Sequence, residues 1–274
     1  MFKIIIMALL IFIGMVGYDN ITDKAQPTTP VQQEQQKVSK HEKSAAMALF
    51  TSLLPPKEEW PSPVHKFYLA FNMDEVIDPI RQNPNWTSLD AMSRDIPQAL
   101  IAIEDHAFYN HGAIAVEGIL RAALANINAG EVVQSGSTLT QQFVKNVFLS
   151  HEQSMERKIE EAVLSLMLED NYSKDEILEL YLNTTYFGAG STGIKQASRT
   201  YFGKAPSALT LAEAAVIASL PYAPTGLNPL ENPEGCKKRQ LLVLAAMHKY
   251  GMINQGQLAE AKAEKIRLTN GTVM

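Results

Sequence analysis

Within ten residues, "AIEDHAFYNH" from Ala102 to His111, the chain places two acids, two histidines and two aromatics just as the apolar run "ALIAI" ends. Glu104 is the residue of interest. A carboxyl held against apolar neighbours keeps its proton to higher pH than usual and becomes a usable base near neutrality. Phe108 and His111 follow it by four and seven residues. On one continuous helix that spacing sets an aromatic ring and an imidazole on the carboxylate's face, with Asp105 adjoining. The plain alternative is a solvated helix end.

A second cluster is "GSTLTQQFVKN", Gly136 to Asn146, which gathers hydroxyls and amides and then a cation where a core helix would show more leucine. Thr138, Gln142 and Lys145 are four and three apart and line one face, with Ser137 and Gln141 beside them. Such a helix start suits an anion, because its free N–H groups and dipole already favour negative charge. The alternative is an N-capping hydroxyl with solvated neighbours. In "ERKIEEAVLSLMLE", Arg157, Lys158 and Glu161 head an amphipathic helix. Arg157 and Glu161, at i and i+4, could equally be a surface pair worth a few tenths of a kcal/mol. "KDEILELYLN", Lys174 to Asn183, sets Glu179 and Asn183 on one face, and Arg239 opens "RQLLVLAAM", where it could be a lone solvated arginine.

The elements that must position these groups are helical. Past Pro97 the apolar period is that of a helix: Val116, Ile119, Leu120, Ala123, Leu124 and Ile127 recur before Gly130 stops the run, and Ile159, Ala162, Val163, Leu166 and Met167 repeat the pattern. Ser173 with Glu176 and Thr210 with Glu213 read as capping boxes, and Asn232 before Pro233 as a cap and first helical residue. Pro221 and Gly251 serve as stops. The strand-like piece "KFYLAF", 66–71, is too isolated to build a sheet. "GAGSTGIK", Gly188 to Lys195, has half of a phosphate loop, but Ile194 stands where the lysine must be and no strand precedes it, so it reads as a glycine-rich helix connection. The fold class is all-α.

The N-terminus places Lys3 before an uncharged run from Ile4 to Gly17 that lacks an AxA-like exit, which reads as a membrane anchor over 1–18 in preference to a cleaved signal peptide. Residues 19–43 are rich in Gln, Thr, Lys and Pro and read as a disordered stalk. A folded domain over 44–274 follows, on the extracytoplasmic side of a single-pass membrane protein. "SAAMALFTSLL", Ser44 to Leu54, is expected to help hold that domain at the bilayer surface. Cys236 is the one cysteine, so stability comes from packing, and a net charge of −5 without basic runs argues against nucleic acid.

In this order and spacing, "EDHAFYNH", "GSTLTQQFVKN", "RKIEE" and "ILELYLN", with Arg239 after them, resemble the motifs of the peptidoglycan glycosyltransferases, glycosyltransferase family 51. That family occurs as monofunctional enzymes and as the first domain of class A penicillin-binding proteins, and the resemblance covers 96–263. It implies a lysozyme-like helical domain that polymerises lipid II into β-1,4 glycan by an inverting step, releasing undecaprenyl pyrophosphate. By position, Glu104 would be the base and Glu161 the second essential carboxylate. Asp105, Phe108, His111, Ser137, Thr138, Gln141, Gln142, Lys145, Arg157, Lys158, Glu179, Asn183 and Arg239 would bind substrate. A divalent cation, Mg2+ or Mn2+, would assist. Partners would be lipid II, the growing lipid-linked glycan, the membrane and other cell-wall synthesis proteins.

The chain departs from the family pattern at Ala113 and Ala115, where Gly and Asp are usual. Ala115 then lacks a capping side chain, at a local cost on the order of 1 kcal/mol. Ser191 and Thr192 stand where an aromatic is expected. Two rivals remain. A lytic glycosidase of the same fold class needs a protonated acid beside its sugar leaving group, whereas pyrophosphate needs positive charge, which Lys145, Arg157 and Lys158 supply. A non-catalytic helical scaffold would be marked by loss of Glu104 or Lys145, and both are present.

Overall fold

The computed structural model describes residues 68–70, 72–119, 127, 136–149 and 154–274. The anchor, the stalk and the Ser44–Leu54 segment lie outside the described residues. So does most of the helix expected between Val116 and Gly130, of which 116–119 and 127 are helical. Ile119 N–H donates to the Ala115 carbonyl at 3.0 Å, so this helix starts at the position that lacks a capping side chain. Among the described residues no helix is long and apolar enough to cross a membrane.

The chain divides into two units, Met1–Asn72 and Met73–Met274. In the first, residues 68–70 are helical, and Asn72 N–H donates to the Tyr68 carbonyl at 3.1 Å. This corrects the strand expected at "KFYLAF". A short apolar run does not declare its period, and here the backbone is satisfied locally by an i→i+4 bond.

Besides that partly described helix, the second unit holds nine α-helices among the described residues: α1 (Asp74–Arg81), α2 (Asp95–Glu104), α3 (Leu139–Phe148), α4 (Met155–Asn171), α5 (Lys174–Thr184), α6 (Ile194–Phe202), α7 (Leu211–Ser219), α8 (Pro233–Lys249) and α9 (Gln255–Ala263). Extended pairing among these residues is confined to two isolated bridges, Tyr186 with Thr192 and Arg267 with Val273. The starts follow the expected chemistry. Ser173 and Glu176 close a capping box on α5, Thr210 and Glu213 close one on α7, and the Asn232 side chain accepts from Gly235 N–H ahead of Pro233. Helix α7 stops just before Pro221, and Gly251 follows the end of α8 with φ +73°.

Helix α7, "LAEAAVIAS", is buried from Ala212 to Ser219, as a helix apolar on all sides must be. Its alanines let α2 and α8 approach closely, and these three helices form one packed group. Helix α3 packs on α4 and α5 to form the other. Helix α4 is oriented differently from its apolar pattern. Glu161, Leu164, Ser165, Met167 and Leu168 are buried, while Ile159 is 55% exposed. The polar members of the inward side are satisfied, since Ser165 Oγ donates to the Glu161 carbonyl and Lys158 pairs with the Glu161 carboxylate.

The glycine-rich stretch connects α5 to α6. Gly193 has φ +84°, and a Cβ there would lie 2.6 Å from the Asn183 carbonyl oxygen, so both conformation and space require glycine. Gly193→Ala should therefore lower the melting temperature by more than the roughly 2–4 °C that 1 kcal/mol moves in a domain of this size. Thermal denaturation followed by circular dichroism checks this, and an unchanged midpoint would contradict the tight approach.

Candidate active site

Glu104 is the last residue of α2, half-buried where the two helix groups meet. Its Oε2 accepts a hydrogen bond of 3.1 Å from Gln142 Nε2 on α3, and Gln142 Oε1 accepts one of 3.1 Å from the Tyr181 hydroxyl on α5. Tyr181 thereby fixes which end of the amide faces the carboxylate. Burial pushes the Glu104 carboxyl above the usual range; the Gln142 hydrogen bond and the charges of Arg239 and Lys145 pull the other way, and Asp105 adds to the rise. Tyr181, itself buried, keeps its proton well past its ordinary range because of burial and the Glu104 charge. The sequence reading missed Tyr181. Its only signal was a hydroxyl on the apolar helix of "ILELYLN".

The face imagined for Glu104, Phe108 and His111 does not exist, because the helix ends at Glu104 and the chain continues as a short 3₁₀ turn, Phe108–Asn110. Phe108 is fully buried, with Lys174 Nζ 4.5 Å from its ring centre. Asp105 uses both oxygens: Oδ1 meets His111 Nε2 at 2.6 Å and Oδ2 accepts from Leu139 N–H, at the first turn of α3, at 3.0 Å. The anion expected at that helix start is the protein's own carboxylate. Thr138 and Gln141 are spent there too. They form a capping box, and the Thr138 hydroxyl also donates to the Ala113 carbonyl at 2.8 Å.

His111 is a strut, and it titrates. Its Nδ1 lies 2.6 Å from the Gly112 carbonyl, so both ring nitrogens face acceptors. Burial opposes the charged ring, but the hydrogen bonds to Asp105 and Gly112 and the Asp105 charge outweigh it, so His111 holds its proton to higher pH than usual. The stabilisation is full below an unfolded value of about 6.5 and is lost as pH rises through the higher folded value. The melting-temperature gap between wild type and His111→Gln should accordingly shrink as pH climbs through that window. A gap that widens would contradict the charged strut.

The cations divide into free and paired. Lys145 is exposed and makes no ion pair or hydrogen bond among the described residues. Arg157 does not pair with Glu161, and its Nε is buried without a partner. The Glu161 partner is instead Lys158, at i−3, whose ammonium also donates to Ser137 Oγ at 3.2 Å. Arg239 on α8 stacks its guanidinium 4.1 Å from the Tyr222 ring centre. On α5, Glu179 Oε2 accepts from Leu89 N–H at 2.8 Å, and Asn183 grips Thr87 through both its N–H and its carbonyl at 2.8 Å. These two residues clamp a segment some ninety residues earlier.

A half-buried carboxyl at a helix end, facing unpaired cations from two other helices, suits proton removal from a hydroxyl beside a departing anion. The family model "Transglycosylase" matches residues 73–248, most of the second unit. This chain belongs to the transglycosylase family. A transglycosylase so named from Cupriavidus necator is 40% identical over 71% of this chain and 84% of its own length. Penicillin-binding protein 1A of Aquifex aeolicus and penicillin-binding protein 2D of Bacillus subtilis are each 44% identical, over 64% and 66% of this chain. The matched region spans 24% and 26% of those two proteins. As its motif series implied, this transglycosylase is a peptidoglycan glycosyltransferase. Glu104, Gln142, Lys145 and Arg239 converge on one point of it, whereas Asp105, Phe108, His111, Thr138, Gln141, Glu179 and Asn183 hold backbone or core.

Proposed function

We propose that this transglycosylase polymerises lipid II into β-1,4-linked glycan and releases undecaprenyl pyrophosphate, with Glu104 as the base. The observation that carries the reading is a half-buried Glu104 carboxylate bonded to a neutral amide and set in the field of Lys145 and Arg239. Glu104 takes the proton of the acceptor hydroxyl as that oxygen attacks the anomeric carbon opposite the pyrophosphate. The anomeric C–O bond breaks, and the leaving pyrophosphate meets Lys145 and Arg157. An α-linked donor then gives a β-linked product in one inverting step. Glu161, buried and paired with Lys158, holds the ammonium that donates to Ser137 Oγ.

The raised proton affinity of Glu104 would equally serve a lytic enzyme as an acid. The unpaired cations favour synthesis, because they stabilise a departing pyrophosphate and do nothing for a departing sugar alcohol. Among the described residues no group of three or more potential ligands could hold a metal ion, and Glu161 is already paired. A divalent ion would be held by pyrophosphate oxygens and would assist their departure. The reading also includes a lysozyme-like arrangement of the helices, a single-pass anchor over 1–18 with the enzyme outside the cytoplasm, and neighbouring cell-wall synthesis proteins.

Purified protein incubated with labelled lipid II should yield a ladder of glycan on a gel and do nothing to finished peptidoglycan. Clearing of a cell-wall suspension without polymer from lipid II would transfer the assignment to the lytic reading.

A further inference from the structure

Arg239 is held in an unusual way. Its guanidinium makes no ion pair or hydrogen bond among the described residues, and its Nε is buried without a partner. What it does touch is the ring of Tyr222, 4.1 Å from the guanidinium carbon to the ring centre. Tyr222 belongs to the segment that follows α7 and is 63% exposed, so core packing does not account for its placement. A planar guanidinium stacked on an aromatic face loses freedom without losing its edge donors, an arrangement a lysine could not reproduce.

We propose that Tyr222 is a positioning residue for the glycosyl transfer: its ring holds the Arg239 guanidinium beside Glu104, so that the arginine's charge bears on the base. This rests on the reading of Glu104 as base.

The groups around the carboxylate make the effect separable. Asp105 adjoins it in sequence, Gln142 and Lys145 face it from α3, Tyr181 from α5 and Arg239 from α8. Helix α7 brings one charged residue, Glu213, which sits at the helix start and is paired with Lys204 at 2.7 Å. Lys145 on an exposed stretch of α3 is independent of Tyr222, so loss of the ring releases one of two cations from its held position and leaves the other in place. Burial then acts on Glu104 with less opposition, and a larger fraction of the carboxyl is protonated at a given pH.

The test is the pH dependence of kcat/KM for lipid II polymerisation by the full chain. Tyr222→Ala should move the acid limb to higher pH, with activity lost most steeply at the acid end and recovered as pH rises. Tyr222→Phe, which keeps the ring face, should restore the wild-type limb. Arg239→Ala should shift the limb in the same direction, and the Tyr222→Ala/Arg239→Ala double variant should move it no further than Arg239→Ala does. An unmoved limb in Tyr222→Ala, a Phe variant that behaves like Ala, or additive shifts would each overturn the proposal. Failure of the underlying reading looks different. Glu104→Gln would then retain polymerisation and its acid limb, whatever the Tyr222 variants do.

Discussion

Glu104→Gln should give a folded protein with at least a 10²-fold lower rate of glycan polymerisation, the least expected when a positioned base is removed. The substitution keeps the shape of the side chain and leaves an oxygen able to accept from Gln142, whose amide is fixed by the Tyr181 hydroxyl. Packing is unaffected, and the removed charge was an unfavourable one. Burial raises the Glu104 carboxyl above its ordinary value, so at neutral pH the native state carries a charge that the unfolded chain holds more cheaply. A neutral amide removes that cost. Melting temperature at neutral pH should therefore equal or exceed that of wild type while activity collapses, the pattern of a residue kept for function at the expense of stability. A variant retaining more than about a tenth of the activity would show that Glu104 is not the base.

Local rules were legible in the residues themselves. The SxxE and TxxE boxes of α5 and α7 and the Asn232 cap are contacts between residues three apart, and sequence carries such contacts directly. Long-range ones were not. Nothing in "ILELYLN" announces that Glu179 and Asn183 grip the backbone at Leu89 and Thr87, or that Tyr181 orients Gln142. Which charges pair was not legible for a related reason. Arg157 and Glu161 have the right spacing for a pair, yet Glu161 is drawn inward by the orientation of α4, and Lys158 reaches it from the preceding turn. The face proposed for Glu104, Phe108 and His111 failed because helix termination at Asp105 breaks the period on which it relied. Motif order pointed to the family; which motif residues meet the reaction and which brace the fold needed the three-dimensional arrangement.

That distinction gives the two lysines opposite expected phenotypes. Lys145 is exposed and unpaired among the described residues, so Lys145→Ala should change stability by no more than about 0.5 kcal/mol. Its turnover should nonetheless fall by roughly 10² to 10³, because a pre-organised cation at a leaving group contributes several kcal/mol to the transition state. Lys145→Arg should recover part of that activity, since charge returns but a planar fork replaces a compact ammonium. Lys158 is the counter-case. It neutralises Glu161, which is 2% exposed, and Lys158→Ala leaves that carboxylate buried without its ion partner. Because Lys158 is itself 46% exposed, the cost should fall below the roughly 3–5 kcal/mol of a wholly buried pair, at about 1–3 kcal/mol. Removing the orphaned charge as well, in Lys158→Ala/Glu161→Gln, should return much of that stability. Urea midpoints and lipid II turnover on the same samples separate the outcomes. If Lys145→Ala loses stability and keeps its rate, the free ammonium is not at the pyrophosphate, and the assignment of positive charge to the leaving group fails with it.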